Sequence, residues 1–122
     1  MKITGRVCKG FGAAQNDVRA GVYEMLRFDP YPGTLNLKVG PGLREVMPIP
    51  DLVIPFAHNP LEVWYAMVGA QQCAVMHPIR YNPSRYPIDV VELLAPVRLR
   101  DAFNLKDGSE LEVTLCPPHS MR

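Results

Sequence analysis

A small closed or partly closed β-barrel, mainly β, with one short α-helix and one helical turn, is the fold class the sequence predicts. Three observations point there. Short apolar runs with period-two alternation recur along the chain, as half-buried strands require. Thirteen prolines in 122 residues punctuate those runs and leave no room for long helices. Strands do not alternate with helices, so a doubly wound parallel sheet is not expected.

The elements follow in order. Ile3 to Lys9 alternates imperfectly and reads as a strand. It runs into Gly10-Phe11-Gly12-Ala13-Ala14, a small-residue loop. Asn16 or Asp17 then caps a helix of about ten residues, because a short oxygen-bearing side chain accepts first-turn amides. Val18, Val22 and Leu26 repeat at helical spacing, and Pro30 stops the helix by restricting the residue before it.

Pro32-Gly33 is a turn signal, since proline fixes an early φ and glycine accepts the positive φ that follows. A strand leaves it, with Leu35, Leu37 and Val39 alternating with Thr34, Asn36 and Lys38. Gly40-Pro41-Gly42 breaks the strand. Residues 44 to 60 hold four prolines and read as an extended connection with one short strand at Leu52 to Ile54. Leu61 to Val68 and Cys73 to Ile79 form a hairpin around Gly69-Ala70-Gln71-Gln72. Tyr81 to Pro87 is a loop, and Asp89 to Leu94 a strand. Val97 to Leu105 suits one or two helical turns. Asp107-Gly108 signals a turn, and Glu110 to Leu115 closes the sheet. The expected organisation is a single barrel domain over 1–116 and a loose tail over 117–122.

Composition bounds the function. The net charge is +1, which gives no reason to expect nucleic acid or a membrane surface as partner. No apolar run is long enough to cross a bilayer, and no apolar h-region follows Lys2, so a cytoplasmic location is expected. Cys8, Cys73 and Cys116 are too few and too far apart for a disulfide framework or a fourfold zinc set; buried thiols on strands explain them.

Four patches carry possible chemistry. The loop Phe11, Gly12, Ala13, Ala14, Gln15, Asn16 lets backbone amides approach a phosphate at a helix start; the alternative is a tight strand-to-helix loop. Thr34 and Asn36 leave their turn on one face. Two neutral oxygens hold magnesium poorly alone but suit magnesium that arrives with phosphates; the alternative is two polar side chains facing water. Ser84, Tyr86 and Glu92 can bond a polar ring or hydroxyl and Arg85 can pair with a phosphate; the alternative is a surface loop and a solvated acid. Arg98 and Arg100, within Val97-Arg98-Leu99-Arg100, can clamp an anion, or form a solvated basic edge. No nucleophile motif surrounds Ser84, Ser109 or Ser120.

The order Gly10-Phe11-Gly12, a helix, Phe28-Asp29-Pro30-Tyr31-Pro32-Gly33-Thr34-Leu35-Asn36, then Glu92-Leu93-Leu94-Ala95-Pro96-Val97-Arg98-Leu99-Arg100 and Phe103-Asn104-Leu105-Lys106-Asp107-Gly108 resembles the archaeal-type CTP-dependent riboflavin kinases. The likeness runs from about Thr4 to Leu115. It implies a six-stranded cradle-loop β-barrel, a fold shared with swapped-hairpin transcription factors. It implies transfer of the γ-phosphoryl group of CTP to riboflavin, giving FMN and CDP, with Mg2+ as cofactor. By position, Phe11 to Asn16 would wrap the nucleotide, and Val97, Arg98, Leu99 and Arg100 would contact it. Thr34 and Asn36 would hold the metal. Ser84 and Glu92 would face the flavin. Separately from the resemblance, the chemistry of phosphoryl transfer suggests that Glu92 orients or deprotonates the attacking hydroxyl. The implied partners are small molecules, with the protein a monomer or small homo-oligomer.

The chain departs from the family pattern at Ala14, where another glycine is usual, and at Ser84-Arg85, where a Thr-His pair is frequent. A β-carbon at residue 14 disfavours positive φ there. The altered loop favours a competing reading, a non-catalytic flavin- or nucleotide-binding relative acting as sensor or scaffold. The retained Thr34-Leu35-Asn36 and Arg98-Leu99-Arg100 favour the kinase. A DNA-binding barrel is a third possibility, against which the near-neutral charge counts.

Overall fold

The computed structural model describes residues 1–9, 25–40, 42–55, 60–78 and 89–116. Seven strands organise them: β1 (Lys2–Cys8), β2 (Leu35–Lys38), β3 (Leu52–Ile54), β4 (Leu61–Val68), β5 (Gln71–Pro78), β6 (Val90–Leu94) and β7 (Glu110–Leu115). Two single-turn helices, α1 (Leu43–Val46) and α2 (Leu99–Ala102), accompany them. Most of the helix expected after Asn16 lies outside the described residues.

Six strands close on themselves. The order β4-β5-β6-β2-β1-β7 is completed by β7 pairing back onto β4, and every pairing is antiparallel. Closure removes the open edges a flat sheet would expose. Gly5 marks where β1 crosses tightly over β2. A β-carbon there would meet the Lys38 carbonyl oxygen at 2.5 Å and Leu37 Cγ at 2.7 Å, so only glycine lets the two strands approach this closely.

The seventh strand shares an edge. β3 pairs with Leu61 to Val63, and β7 pairs with Ala66 and Met67 farther along the same strand. Between them the backbone of Tyr65 has no strand partner on that side. Its N–H donates to Asp51 Oδ2 at 2.7 Å, and its carbonyl accepts the Cys116 N–H at 2.9 Å. Asp51 is itself fixed through its own N–H, bonded to the Val63 carbonyl at 2.8 Å. The handover therefore leaves no orphaned amide at Tyr65, as burial demands.

Alternation divides the apolar residues between two layers. All six barrel strands feed the interior, with Ile3, Val7, Leu37, Trp64, Val75, Leu93 and Val113 among its members. Leu43 and Met47 pack against it after the end of β2, and Leu99 and Leu105 after the end of β6. Because β2 and β6 are antiparallel, these two pairs plug opposite ends. Trp64 Nε1 reaches out to donate to the Pro48 carbonyl at 2.8 Å, which satisfies its polar atom. The second layer lies on the outer face of β3 to β6. Ile54, Leu61, Val63, Tyr65, Met76 and Leu94 form it, and Leu26, Phe28, Leu52 and Cys116 pack against it. Both faces of β4 and β5 are thus buried, so these strands are nearly continuous in apolar residues.

Three local expectations are corrected. The hairpin loop is shorter than Gly69 to Gln72: β5 begins at Gln71, and Val68 pairs with Gln71. Gly69 at φ 57° makes so tight a turn possible, since glycine leads one favoured two-residue hairpin type. The connection after residue 42 is not wholly extended, because α1 forms before the prolines begin. Of the three thiols only Cys73 is fully buried, while Cys8 and Cys116 are half-buried. Among the described residues no helix is long and apolar enough to cross a membrane.

Candidate functional site

The end of the barrel where β1 and β6 finish and β2 begins gathers those of the residues singled out above that the structure describes: Thr34, Asn36, Glu92 and Val97 to Arg100. The turn before β2 is built as its sequence requires. Pro30 is buried, Gly33 adopts φ 117°, and the Tyr31 N–H donates to the Ala95 carbonyl at 2.7 Å. That last bond ties the turn to the residue following β6. Residues 31–35 and 97–100 then face each other across a cleft of about 220 Å³, with Leu93 and Ala95 between them. Thr34 and Arg100 both line it. Two segments more than sixty residues apart in sequence therefore share one cleft.

Thr34, Asn36 and Glu92 lie on the outer face of the sheet. Asn36 and Glu92 are register partners across β2 and β6, and Cys8 is the partner of Asn36 on β1. The Thr34 hydroxyl donates to Glu92 Oε1 at 2.8 Å. Asn36 is only 3% exposed, so it does not face water as one reading of its strand supposed. Alternation reports which face a side chain occupies, and here the second face is covered too.

The two arginines take different partners. Arg98 precedes α2 in extended conformation and bonds Asp101 Oδ1 at 2.8 Å. Arg100 lies within α2; its Nη2 bonds Asp107 Oδ1 at 2.7 Å and reaches the Cys8 carbonyl at 3.4 Å. Arg98 stands before the helix and Arg100 within it, which sends them to different partners. Asp107 is held in place by its neighbours: the Gly108 N–H donates to the Val7 carbonyl at 2.7 Å, and the Val7 N–H to the Ser109 carbonyl at 2.8 Å. Arg100 thereby links the cleft wall to the last residue of β1. Burial, reinforced by the negative charge of Asp107, pushes the Cys8 thiol pKa up, which disfavours the reactive thiolate.

Phe11, Gly12, Ala13, Ala14, Gln15 and Asn16, and likewise Ser84, lie outside the described residues. Tyr31, Ala95 and Asp107 belong to the neighbourhood and were not picked out from sequence. Tyr31 carried one signal, an aromatic ring inside a Pro-Tyr-Pro-Gly turn. Asp107 read only as a turn residue.

The donors available for a metal are oxygens. Among the described residues no group of three or more His, Cys, Asp or Glu is placed to hold an ion. The Thr34 hydroxyl and the Asn36 amide offer hard, neutral oxygen, and Glu92 puts a carboxylate beside the first of them. This set fits magnesium carried in by phosphates, which takes few protein ligands.

Comparison with known proteins identifies relatives of the chain. A family model for the CTP-dependent riboflavin kinase domain, described as "Domain of unknown function DUF120", matches residues 7–115. A riboflavin kinase of Pyrobaculum aerophilum is 36% identical over 130 residues, covering 94% of this chain and 60% of that protein. Riboflavin kinases of Methanosarcina barkeri and Ignicoccus hospitalis are 33% and 31% identical, with 56% and 70% of their lengths covered. The chain spans about 60% of the length of the first curated relatives it matches.

Proposed function

This chain belongs to the CTP-dependent riboflavin kinase family, and on that premise we propose that it transfers the γ-phosphoryl group of CTP to the ribityl hydroxyl of riboflavin, giving FMN and CDP, with Mg2+. The observation that carries the reading is the single cleft shared by the Thr34 turn and the Val97-to-Arg100 segment. Phosphoryl transfer asks little covalent chemistry of a protein. It asks for in-line positioning and for compensation of charge on the transferred oxygens.

The residues divide that work. Arg100, and more loosely Arg98, supply positive charge along the cleft wall to the phosphates of the nucleotide. Thr34 and Asn36 hold magnesium, which when bound neutralises charge on the phosphoryl oxygens. Glu92 accepts the proton of the Thr34 hydroxyl in a hydrogen bond, so the lone pairs of Oγ1 are turned away from the carboxylate. The same carboxylate orients the riboflavin hydroxyl, with Ser84 as a second contact to the flavin. Phe11 to Asn16 wrap the nucleotide.

The test is incubation of the purified protein with riboflavin, magnesium and each of CTP, ATP and GTP, with chromatography for FMN. FMN is expected with CTP. Absence of FMN with every donor, alongside retained flavin or nucleotide binding, would replace catalysis with a binding role.

A further inference from the structure

We propose that the ring of Tyr31 forms one wall of a slot for the base of the donor nucleotide, with the side chain of Val97 on the facing lip. The inference deepens the nucleotide reading of this cleft and rests on it. Four observations support it. Tyr31 and Val97 both line the cleft, one on each of its two segments. Both are large apolar side chains left 41% and 38% exposed, although the barrel has two apolar layers in which such groups are buried. The backbone of Tyr31 is fixed on both sides, by its own N–H bond to Ala95 and by the turn at Gly33, so the ring is presented at low conformational cost. The polar groups of the cleft lining are Arg98, Arg100 and Thr34, set among apolar residues such as Leu93 and Ala95. A site with cations and a hydroxyl at one part and an aromatic face at another suits a ligand with the same division: a phosphate chain joined to a planar heteroaromatic base.

The cleft volume, about 220 Å³, falls below the roughly 300–1,000 Å³ of a pocket that encloses a whole drug-sized ligand. It has room for part of a nucleotide, and an aromatic wall suits the planar part. The isoalloxazine ring of a flavin is the other planar candidate. The nucleobase is favoured because the opposite lip belongs to the Val97-to-Arg100 segment assigned above to the nucleotide, whereas Glu92, assigned to the flavin side, does not line this cleft.

The experiment measures binding by titration calorimetry for wild type, Tyr31→Ala and Tyr31→Phe. The probes are CTP, inorganic tripolyphosphate and riboflavin, each with magnesium. The expected result is that Tyr31→Ala weakens CTP between about fivefold and about a hundredfold, the range that removal of an aromatic stacking partner spans. Tripolyphosphate, which has no base, binds Tyr31→Ala as it binds wild type, and Tyr31→Phe keeps CTP affinity within about twofold. Equal loss of CTP and tripolyphosphate assigns Tyr31 to the phosphates and overturns the proposal. Loss of riboflavin instead of CTP assigns the ring to the flavin and also overturns it. Unchanged CTP affinity in Tyr31→Ala overturns it while leaving the kinase reading intact. A wild-type protein that binds no CTP overturns both.

Discussion

The hydroxyl of Thr34 lies 2.8 Å from Glu92 Oε1 and donates its proton there, although 58 residues separate the two in sequence. The bond fixes both partners. It orients a candidate metal-ligating oxygen, and it occupies one oxygen of the candidate catalytic carboxylate. Support of this kind from outside the ligand set typically changes metal affinity by about 10- to 100-fold when removed.

Glu92→Gln keeps shape and an acceptor oxygen but loses the charge. If Glu92 accepts the proton of the attacking hydroxyl, kcat for FMN formation falls about 10²- to 10⁴-fold, with riboflavin affinity changed far less. Steady-state kinetics over a riboflavin series separates the two. Full turnover in Glu92→Gln would remove the base. Thr34→Val, which deletes the hydroxyl at nearly constant volume, is expected to weaken Mn2+ binding measured by electron paramagnetic resonance in the presence of CTP, and Thr34→Ser to restore it.

The two arginines should not weigh equally. Arg98 and Asp101 are 48% and 71% exposed at their side chains, while Arg100 is 28% exposed and also reaches the Cys8 carbonyl. Exposed pairs are screened and loosely held, and a partly buried guanidinium interacts more strongly with an incoming anion. Arg100→Ala is therefore expected to lower kcat/KM for CTP by at least tenfold more than Arg98→Ala. Asp107→Asn, which frees Arg100, should raise KM for CTP, and Asp101→Asn should leave it nearly unchanged. Comparable losses from both arginines would show that the exposed one is equally engaged.

Much of this fold was legible because its strands are short and punctuated. Pro32-Gly33, Asp107-Gly108 and the alternation of Glu110 to Leu115 each fix local structure with few competing conformations. The convergence of Thr34 with Glu92 and with Arg100 is a long-range result of strand order, which local pattern does not encode; the family resemblance supplied it. Asn36 shows the limit most clearly. Its period-two position places it opposite Leu35 and Leu37, but whether that face meets water depends on what packs there. The same holds for Leu26 and Phe28, whose partners on the outer sheet face are strands appearing about twenty-five to seventy residues later. Asp51 gave no signal at all, since an acid between prolines reads as a loop residue.

Asp51 nonetheless carries a testable share of stability. Its carboxylate accepts the Tyr65 N–H at the point where β3 hands the edge of β4 to β7. Asp51→Ala leaves that amide without its acceptor inside a largely buried strand, at a cost of about 1–3 kcal/mol. Asp51→Asn keeps an acceptor oxygen and should lose less than half of that. Urea denaturation of the three proteins checks both values. An alanine variant as stable as wild type would mean that water replaces the carboxylate at no cost.

Alkaline pH gives a probe of the barrel interior that is independent of the cleft. Burial pushes the Cys73 thiol up to about 12 from an ordinary value near 9, and Cys8, Cys116 and the Tyr65 phenol are raised in the same direction, chiefly by burial. For a raised acid the folded state binds the proton more tightly than the unfolded chain does. Its stabilisation is complete below the unfolded pKa and is lost as pH rises toward the folded one. Stability should thus be insensitive to these groups at neutral pH and fall between about pH 9 and about pH 12. Cys73 alone sets a slope of up to about 1.4 kcal/mol per pH unit. Cys73→Ala removes that component of the slope but opens a small cavity in the barrel, so Cys73→Ser and Cys73→Val serve as controls for volume and polarity. Melting temperatures measured from pH 7 to pH 11 should show a shallower alkaline decline in all three variants than in wild type, whatever their absolute stability at pH 7. A decline of unchanged steepness would place the alkaline sensitivity elsewhere in the chain.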